Sequence, residues 1–116
     1  MLAMLAMLAM LAMAMGISGG AVVNANARRL WVFDLREESA WQQGHIAGAE
    51  RVDWHHIGVA VEALGVSLEQ RILIYCNSGQ RSKMARDILV YMGYTQVVNG
   101  ESWAKAKEIV GVEILK

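Results

Sequence analysis

Two regimes of hydrophobic patterning divide the chain. From Met1 to Val23 it is apolar almost without a break, a run of Met, Leu and Ala followed by the glycine-rich Gly16 to Gly20. After Arg28, short apolar runs alternate with polar stretches punctuated by glycine, the pattern of a folded domain. Leu30-Trp31-Val32-Phe33, closing on Asp34, predicts a buried strand. Glu37 to Gln43 is polar around Trp41 and stops at Gly44, which suits one or two helical turns. Ala49 to Trp54, around Val52, predicts a second short strand. Ile57, Val61 and Leu64 share one face of a helix over His55 to Leu64. Arg71-Ile72-Leu73-Ile74-Tyr75 is the clearest strand, apolar on consecutive positions like a central strand covered on both faces. Met84, Ala85, Ile88, Leu89 and Met92 form one stripe of a helix from Ser82 to Met92, with Lys83, Arg86 and Asp87 outside it. Gly93 ends that helix. Gln96 to Val98 predicts another strand and Trp103 to Val110 a last helix.

Strands alternating with helices imply an α/β fold, a single domain built on a parallel sheet with helices on both faces. The length of 116 residues allows one such domain. In these sheets ligands bind at the carboxyl ends of the strands. Cys76 directly follows the clearest strand and is expected at such an end.

The apolar N-terminus reads as a targeting segment. Asn24-Ala25-Asn26-Ala27 has the small-x-small pattern of a signal-peptidase site, with cleavage after Ala27. This predicts residues 1–27 as a signal peptide and 28–116 as the domain, exported to the periplasm or beyond. Two features oppose it. No Lys or Arg precedes the run, and Arg28-Arg29 follows it, a basic flank that tends to stay in the cytoplasm. An uncleaved membrane anchor is the alternative, and a misassigned start is a third reading. Contact with a membrane is expected only if the segment is retained.

Composition narrows the chemistry. Eleven basic residues balance eleven acidic ones, with no basic stripe among aromatics, so nucleic acid is not an expected partner. There is one cysteine, which excludes an internal disulfide and a cysteine-only metal site. His45, His55 and His56 lack the spacing and companion ligands of a zinc site. No metal and no cofactor are expected.

Cys76 opens the run Asn77-Ser78-Gly79-Gln80-Arg81-Ser82, set between a buried strand and a helix start. A thiol becomes a good nucleophile on ionising, and a helix N-terminus or a nearby cation favours the thiolate. Backbone N–H groups of such a loop converge on one point. Gly79 lets the loop bend, and Arg81 adds a planar cation suited to an oxyanion. The plain alternative is a buried structural cysteine, against which stand the polar and flexible residues that follow it.

This loop resembles the rhodanese active-site loop, Cys-x-x-Gly-x-Arg-Ser. Asp34-Leu35-Arg36-Glu37 is similar to the family's Asp-x-Arg-Glu segment. Trp41-Gln42-Gln43-Gly44-His45-Ile46-Ala47-Gly48-Ala49 is similar to its aromatic-x-x-Gly-His-Ile-x-Gly-Ala signature. Met92-Gly93-Tyr94, with Val97, Gly100 and Trp103 beyond, is a third likeness. The chain departs at Asn99-Gly100-Glu101-Ser102, where the family has Gly-Gly before the last Trp, and at Ala40, where an acidic residue is usual. The likeness is to small single-domain rhodaneses, including exported ones of the phage-shock type.

The resemblance implies a sulfurtransferase. Cys76 would take sulfane sulfur from a small anionic donor such as thiosulfate and hold it as a persulfide. The backbone of Asn77, Ser78, Gly79, Gln80, Arg81 and Ser82 would cradle the sulfur, and Arg81 would orient the donor. With no second cysteine, the sulfur must pass to an external thiol, cyanide or protein acceptor. Asp34, Arg36 and Glu37 are expected to support the loop structurally, His45 to be a satisfied turn histidine, and His55 and His56 to lie on the surface. Two other readings compete. One is a persulfide-carrying or sensing module that acts with a protein partner and does not turn over. The other is a phosphatase or arsenate reductase of the Cdc25-like relatives, whose loop is one residue longer. The physiological donor and acceptor and the oligomeric state are not written in the sequence.

Overall fold

The computed structural model describes residues 29–115; the segment read as a targeting signal, residues 1–27, lies outside them. Strand β1 (Leu30–Asp34) leads to the short helix α1 (Glu38–Gln43) and to β2 (Glu50–Arg51). A single 3-10 turn (Trp54–His56) runs into α2 (Ile57–Ala63), followed by β3 (Arg71–Tyr75). Helix α3 (Gln80–Met92), β4 (Gln96–Glu101) and α4 (Trp103–Leu115) complete the order. The sheet order is β2-β1-β3-β4, and every pairing is parallel.

Side-chain alternation along the two central strands divides the interior. Trp31, Phe33, Ile72, Ile74 and Cys76 point to one face, where Ile57 and Val61 of α2 and Ala85 and Leu89 of α3 cover them. Val32, Leu73 and Tyr75 point to the other, covered by Ala106, Trp103, Ile109 and Val110 of α4 and by Ile46. Helices therefore lie on both faces, as the alternation predicts.

Local boundaries differ from the sequence reading. The strand expected over Ala49 to Trp54 keeps only Glu50–Arg51, because Trp54 already begins the 3-10 turn. Helix α3 starts at Gln80 rather than Ser82, and Met84 of the predicted stripe is 41 % exposed; Ala85 and Leu89 do the burying. Strand β4 runs on to Glu101 through a register shift: Ile74 faces Asn99 and Tyr75 faces Glu101, so Gly100 is the extra residue of a bulge. A Cβ on Gly100 would come within 2.9 Å of Leu73 Cδ1, so the bulge packs too closely for a larger residue.

The order of strand addition reverses between β1 and β3. From β1 the chain leaves to one side, to β2, and from β3 to the other, to β4. The crevice of such a sheet lies outside the carboxyl ends of these two strands. On the α4 face of that end, Asp34 is fully buried against Arg36. Arg36 Nη2 donates to Asp34 Oδ2 at 2.8 Å and to the carbonyl of Gly44 at 2.6 Å, and the Arg36 N–H donates to Asp34 Oδ1 at 2.9 Å. The Ile46 N–H donates to the phenol oxygen of Tyr75. Burial, then Asp34, push the Tyr75 phenol up from its ordinary value. The pair thus ties the end of β1 to the Gly44 turn and to β3.

Breaking a buried pair strands its remaining charge, whereas replacing both members with apolar residues costs far less. Asp34→Ala is expected to lower stability by about 3–5 kcal/mol in urea unfolding. Asp34→Leu combined with Arg36→Met is expected to recover most of that loss. A double variant as unstable as the single one would contradict this account.

Candidate active site

At the end of β3 the Cys76 N–H donates to the Glu101 carbonyl at 2.8 Å, the last rung before the chain leaves the sheet. The sulfur keeps the alternation of Ile72 and Ile74, so it points to the α3 face. The loop then turns at Gly79, whose φ of 101° is left-handed and suits a glycine. Gly79 is the residue before the first turn of α3, and its own carbonyl accepts from the Lys83 N–H.

No side chain at the Gly79 position caps α3. The Cys76 sulfur takes that place. The Gly79 N–H donates to Sγ at 3.0 Å, and the backbone N–H groups of Ser78 and Ser82 also favour the charged sulfur. Ser82 Oγ lies 3.5 Å from Sγ. Cys76 is only 2 % exposed. Burial pushes its thiol up, and hydrogen bonds from the Ser82 hydroxyl and from the N–H groups of Ser82, Gly79 and Ser78 pull it down; the balance lies below the ordinary value. A helix N-terminus acts in the same direction. The arrangement favours the thiolate without a separate base.

Cys76, Asn77, Ser78, Gln80 and Arg81 line a cavity of about 200 Å³. Asn77, Ser78, Gln80 and Arg81 are exposed, while Gly79 and Ser82 are buried. The loop residues picked from the sequence are therefore together, in two roles. Ser78, Gly79 and Ser82 face the sulfur, and Asn77, Gln80 and Arg81 form the rim. A larger cavity of about 310 Å³, lined by Leu30, Arg71 and Gln96 among others, lies at the opposite, amino end of the strands, away from Cys76.

The upstream residues sit differently. Asp34 and Arg36 are on the other face of the sheet from the sulfur and reach the loop only through Tyr75, the neighbour of Cys76. Glu37 is exposed and accepts the N–H groups of Ala40 and Trp41 at the start of α1 through its carbonyl. His45 bonds the Trp41 carbonyl through Nδ1 at 2.8 Å and stacks on the Trp41 ring, a satisfied turn histidine. His55 and His56 are exposed, yet Asp53 joins them: ligand-type atoms of the three lie within 4.8 Å of one another. The sequence predicts no companion for these histidines; Asp53, the residue just before the 3-10 turn, is one. Asp53 already pairs with Arg51 at 3.6 Å.

Sequence reasoning missed Asn99 and Glu101. Asn99 Oδ1 accepts from Ser82 Oγ at 2.5 Å and from the Glu101 N–H at 2.9 Å, and Nδ2 donates to the Gly79 carbonyl at 3.3 Å. Glu101 has a φ of 66°, the left-handed region, unique among non-glycine residues of the described chain. The available signal was the Asn-Gly pair itself, a turn dipeptide inside a strand.

The sequence matches the rhodanese-like domain family over residues 20–102. It is 31 % identical to the sulfur carrier protein TtuD of Thermus thermophilus, an alignment covering 72 % of this chain and 34 % of that protein. It is 32 % identical to the thiosulfate sulfurtransferase PspE of Escherichia coli, over 60 % of this chain and 65 % of the relative. The chain thus spans less than two thirds of either relative. A solved E. coli rhodanese with anions superposes with a TM-score of 0.62 at 27 % identity, covering 66 % of this chain and 91 % of that one.

Because the thiol lies below its ordinary value, the pH profile of Cys76 alkylation is expected to rise at lower pH than that of a free cysteine. The thiolate, which reacts, dominates above the midpoint and is lost below it. Gly79→Ala places an L residue at positive φ, with its Cβ 3.4 Å from Glu101, and is expected to move the profile upward. A free-cysteine profile in the unmodified protein would refute the cradle.

Proposed function

Because this chain belongs to the rhodanese-like family, we propose that it is a sulfurtransferase whose Cys76 carries sulfane sulfur as a persulfide. The observation that carries the reading is the Gly79 N–H at 3.0 Å from a sulfur whose ionisation the loop favours. The Cys76 thiolate attacks the outer sulfur of a small anionic donor such as thiosulfate. A sulfur–sulfur bond forms at Sγ, the donor's own sulfur–sulfur bond breaks, and sulfite leaves with the electron pair. The negative charge moves to the terminal sulfur of the persulfide, within the same set of N–H donors. An external thiol, cyanide or protein acceptor then attacks that terminal sulfur and restores the thiolate. Each half is a displacement, so neither oxidant nor cofactor enters.

Arg81 at the rim orients the oxyanion end of the donor, a role its five donors suit. Loop length supports sulfur over phosphate as cargo. Arg81 is five positions after Cys76, which leaves a cradle sized for one extra sulfur rather than a tetrahedral phosphoryl group. The names of the relatives support sulfur transfer as a class; thiosulfate as donor is our reading for this chain. We further propose export, on the small-x-small site ending at Ala27. Among the described residues, no helix is long and apolar enough to cross a membrane.

Incubation of the full chain with thiosulfate, without reducing agent, is expected to add one sulfur atom to the intact mass. Cys76→Ser is expected to add none. Cyanide should then discharge the adduct and release thiocyanate stoichiometrically. Arg81→Ala is expected to slow loading about tenfold or more while leaving discharge by cyanide less affected. An unloaded native protein would sink the thiosulfate reading, and a loaded protein that no small acceptor discharges would favour a carrier acting with a protein partner.

A further inference from the structure

The hydroxyl of Ser82 has two acceptors and one proton. It is fully buried, 3.5 Å from Cys76 Sγ and 2.5 Å from Asn99 Oδ1. A serine hydroxyl donates once. The amide of Asn99 cannot turn to relieve the competition, since two backbone groups fix it. Its Oδ1 accepts the Glu101 N–H at 2.9 Å and its Nδ2 donates to the Gly79 carbonyl at 3.3 Å. A flipped amide would aim N–H against N–H and oxygen against oxygen.

We infer that Asn99 is a positioning residue that competes with the Cys76 sulfur for the single proton of Ser82. With Cys76 as a thiol, the chain S–H to Oγ, O–H to Oδ1 satisfies every member. When the sulfur ionises, Ser82 has to break its bond to Asn99 to donate to the thiolate. One of the hydrogen bonds that favours ionisation is therefore opposed by a side chain on β4. The thiolate keeps the backbone donors but holds the hydroxyl less firmly, which leaves it more basic and more nucleophilic than a fully bonded one. Once sulfur is loaded the charge sits on the terminal atom, and the hydroxyl can return to Asn99.

The inference rests on the reading of Cys76 as a reactive thiol, not on the identity of its donor. Other charged or titratable side chains on the surrounding elements are Arg81, Lys83, Arg86 and Asp87 on α3, Glu101 on β4, Arg71 and Tyr75 on β3, Glu62 on α2, Asp53, His55 and His56 at the 3-10 turn, and Asp34 and Arg36 at the end of β1. All of them stay in place in the variants below, so their influence cancels in the comparison.

The test is the pH profile of iodoacetamide alkylation of Cys76 in the full chain, which needs no sulfur donor. Asn99→Ala frees the hydroxyl for the sulfur, and the midpoint is expected to fall; thiolate at a fixed pH below it rises about two- to fivefold. Asn99→Asp substitutes a stronger acceptor, and the midpoint is expected to rise. In a Ser82→Ala background there is no proton to compete for. There Asn99→Ala is expected to lose its downward shift, and Asn99→Asp to keep only the smaller part due to its charge. If Asn99 merely braced the loop, both single variants would move the midpoint up, whatever stood at position 82. That pattern overturns the inference. Should Asn99→Ala not fold, as judged by circular dichroism, the Asn99→Asp comparison decides alone: equal rises with and without the Ser82 hydroxyl overturn it. Failure of thiosulfate loading with these shifts intact would refute the sulfur donor and leave the competition standing.

Discussion

The last rung of the sheet, Cys76 N–H to Glu101 carbonyl, is the bond on which the site depends. It holds the backbone of Cys76 in strand geometry while everything after it bends away. The sulfur thus inherits the direction of a buried strand side chain. The rung forms only because β4 carries an extra residue at Gly100. That bulge brings Glu101 opposite Tyr75 and puts its carbonyl within reach of the next N–H. A left-handed Glu101 costs on the order of 1 kcal/mol, and its two backbone hydrogen bonds, to Cys76 and Asn99, offset it. Backbone strain at this point has a local cause, the need to terminate β3 and β4 at one place.

Two opposed effects meet at the sulfur. Burial disfavours its charge, and a fully desolvated thiol would be an inert core residue. Hydrogen bonds to a charged group contribute about 1.5–3 kcal/mol each, and three backbone N–H groups converge here with one shared hydroxyl. Together they outweigh the burial, so the sulfur ionises more readily than an ordinary thiol despite its 2 % exposure. Much of this comes without side-chain chemistry. The N–H groups of Gly79 and Ser82 belong to a helix start that needs an acceptor in any case, and the sulfur is that acceptor. Capping the helix and favouring the thiolate are one interaction.

The parts legible in the sequence are those set by short-range pattern. The apolar run from Ile72 to Tyr75 sets a strand covered on both faces, and the glycine and polar residues after Cys76 set the loop. The α/β alternation gives the parallel sheet. Boundaries were less legible where tertiary contacts decide them. Val52 and Trp54 look like strand residues, but β2 is an edge of two residues, and Trp54 instead packs against the α2 and α3 core. Met84 obeys helical spacing and still faces outward, since the stripe that α3 buries is narrower than its apolar residues suggest. Asn99 was out of reach because its partners, Ser82 and Gly79, are 17 and 20 residues away. The sequence marked the place, as an Asn-Gly where the resembling family has Gly-Gly, without saying what the asparagine touches.

The two faces of the sheet differ, and the most polar buried pair lies away from the sulfur. Asp34 and Arg36 sit on the α4 side with Tyr75 and Trp103, whose ring lies 5.0 Å from the guanidinium. Placed beside Cys76, the same carboxylate would repel a thiolate and undo the effect of the N–H groups. On the opposite face its charge is spent within the pair, yet it still fixes Tyr75, one residue before Cys76. Alternation in β3 separates them, with Tyr75 to one side and Cys76 to the other. A strand of period two can brace a sulfur from behind while the loop in front supplies backbone donors, one serine hydroxyl and cations.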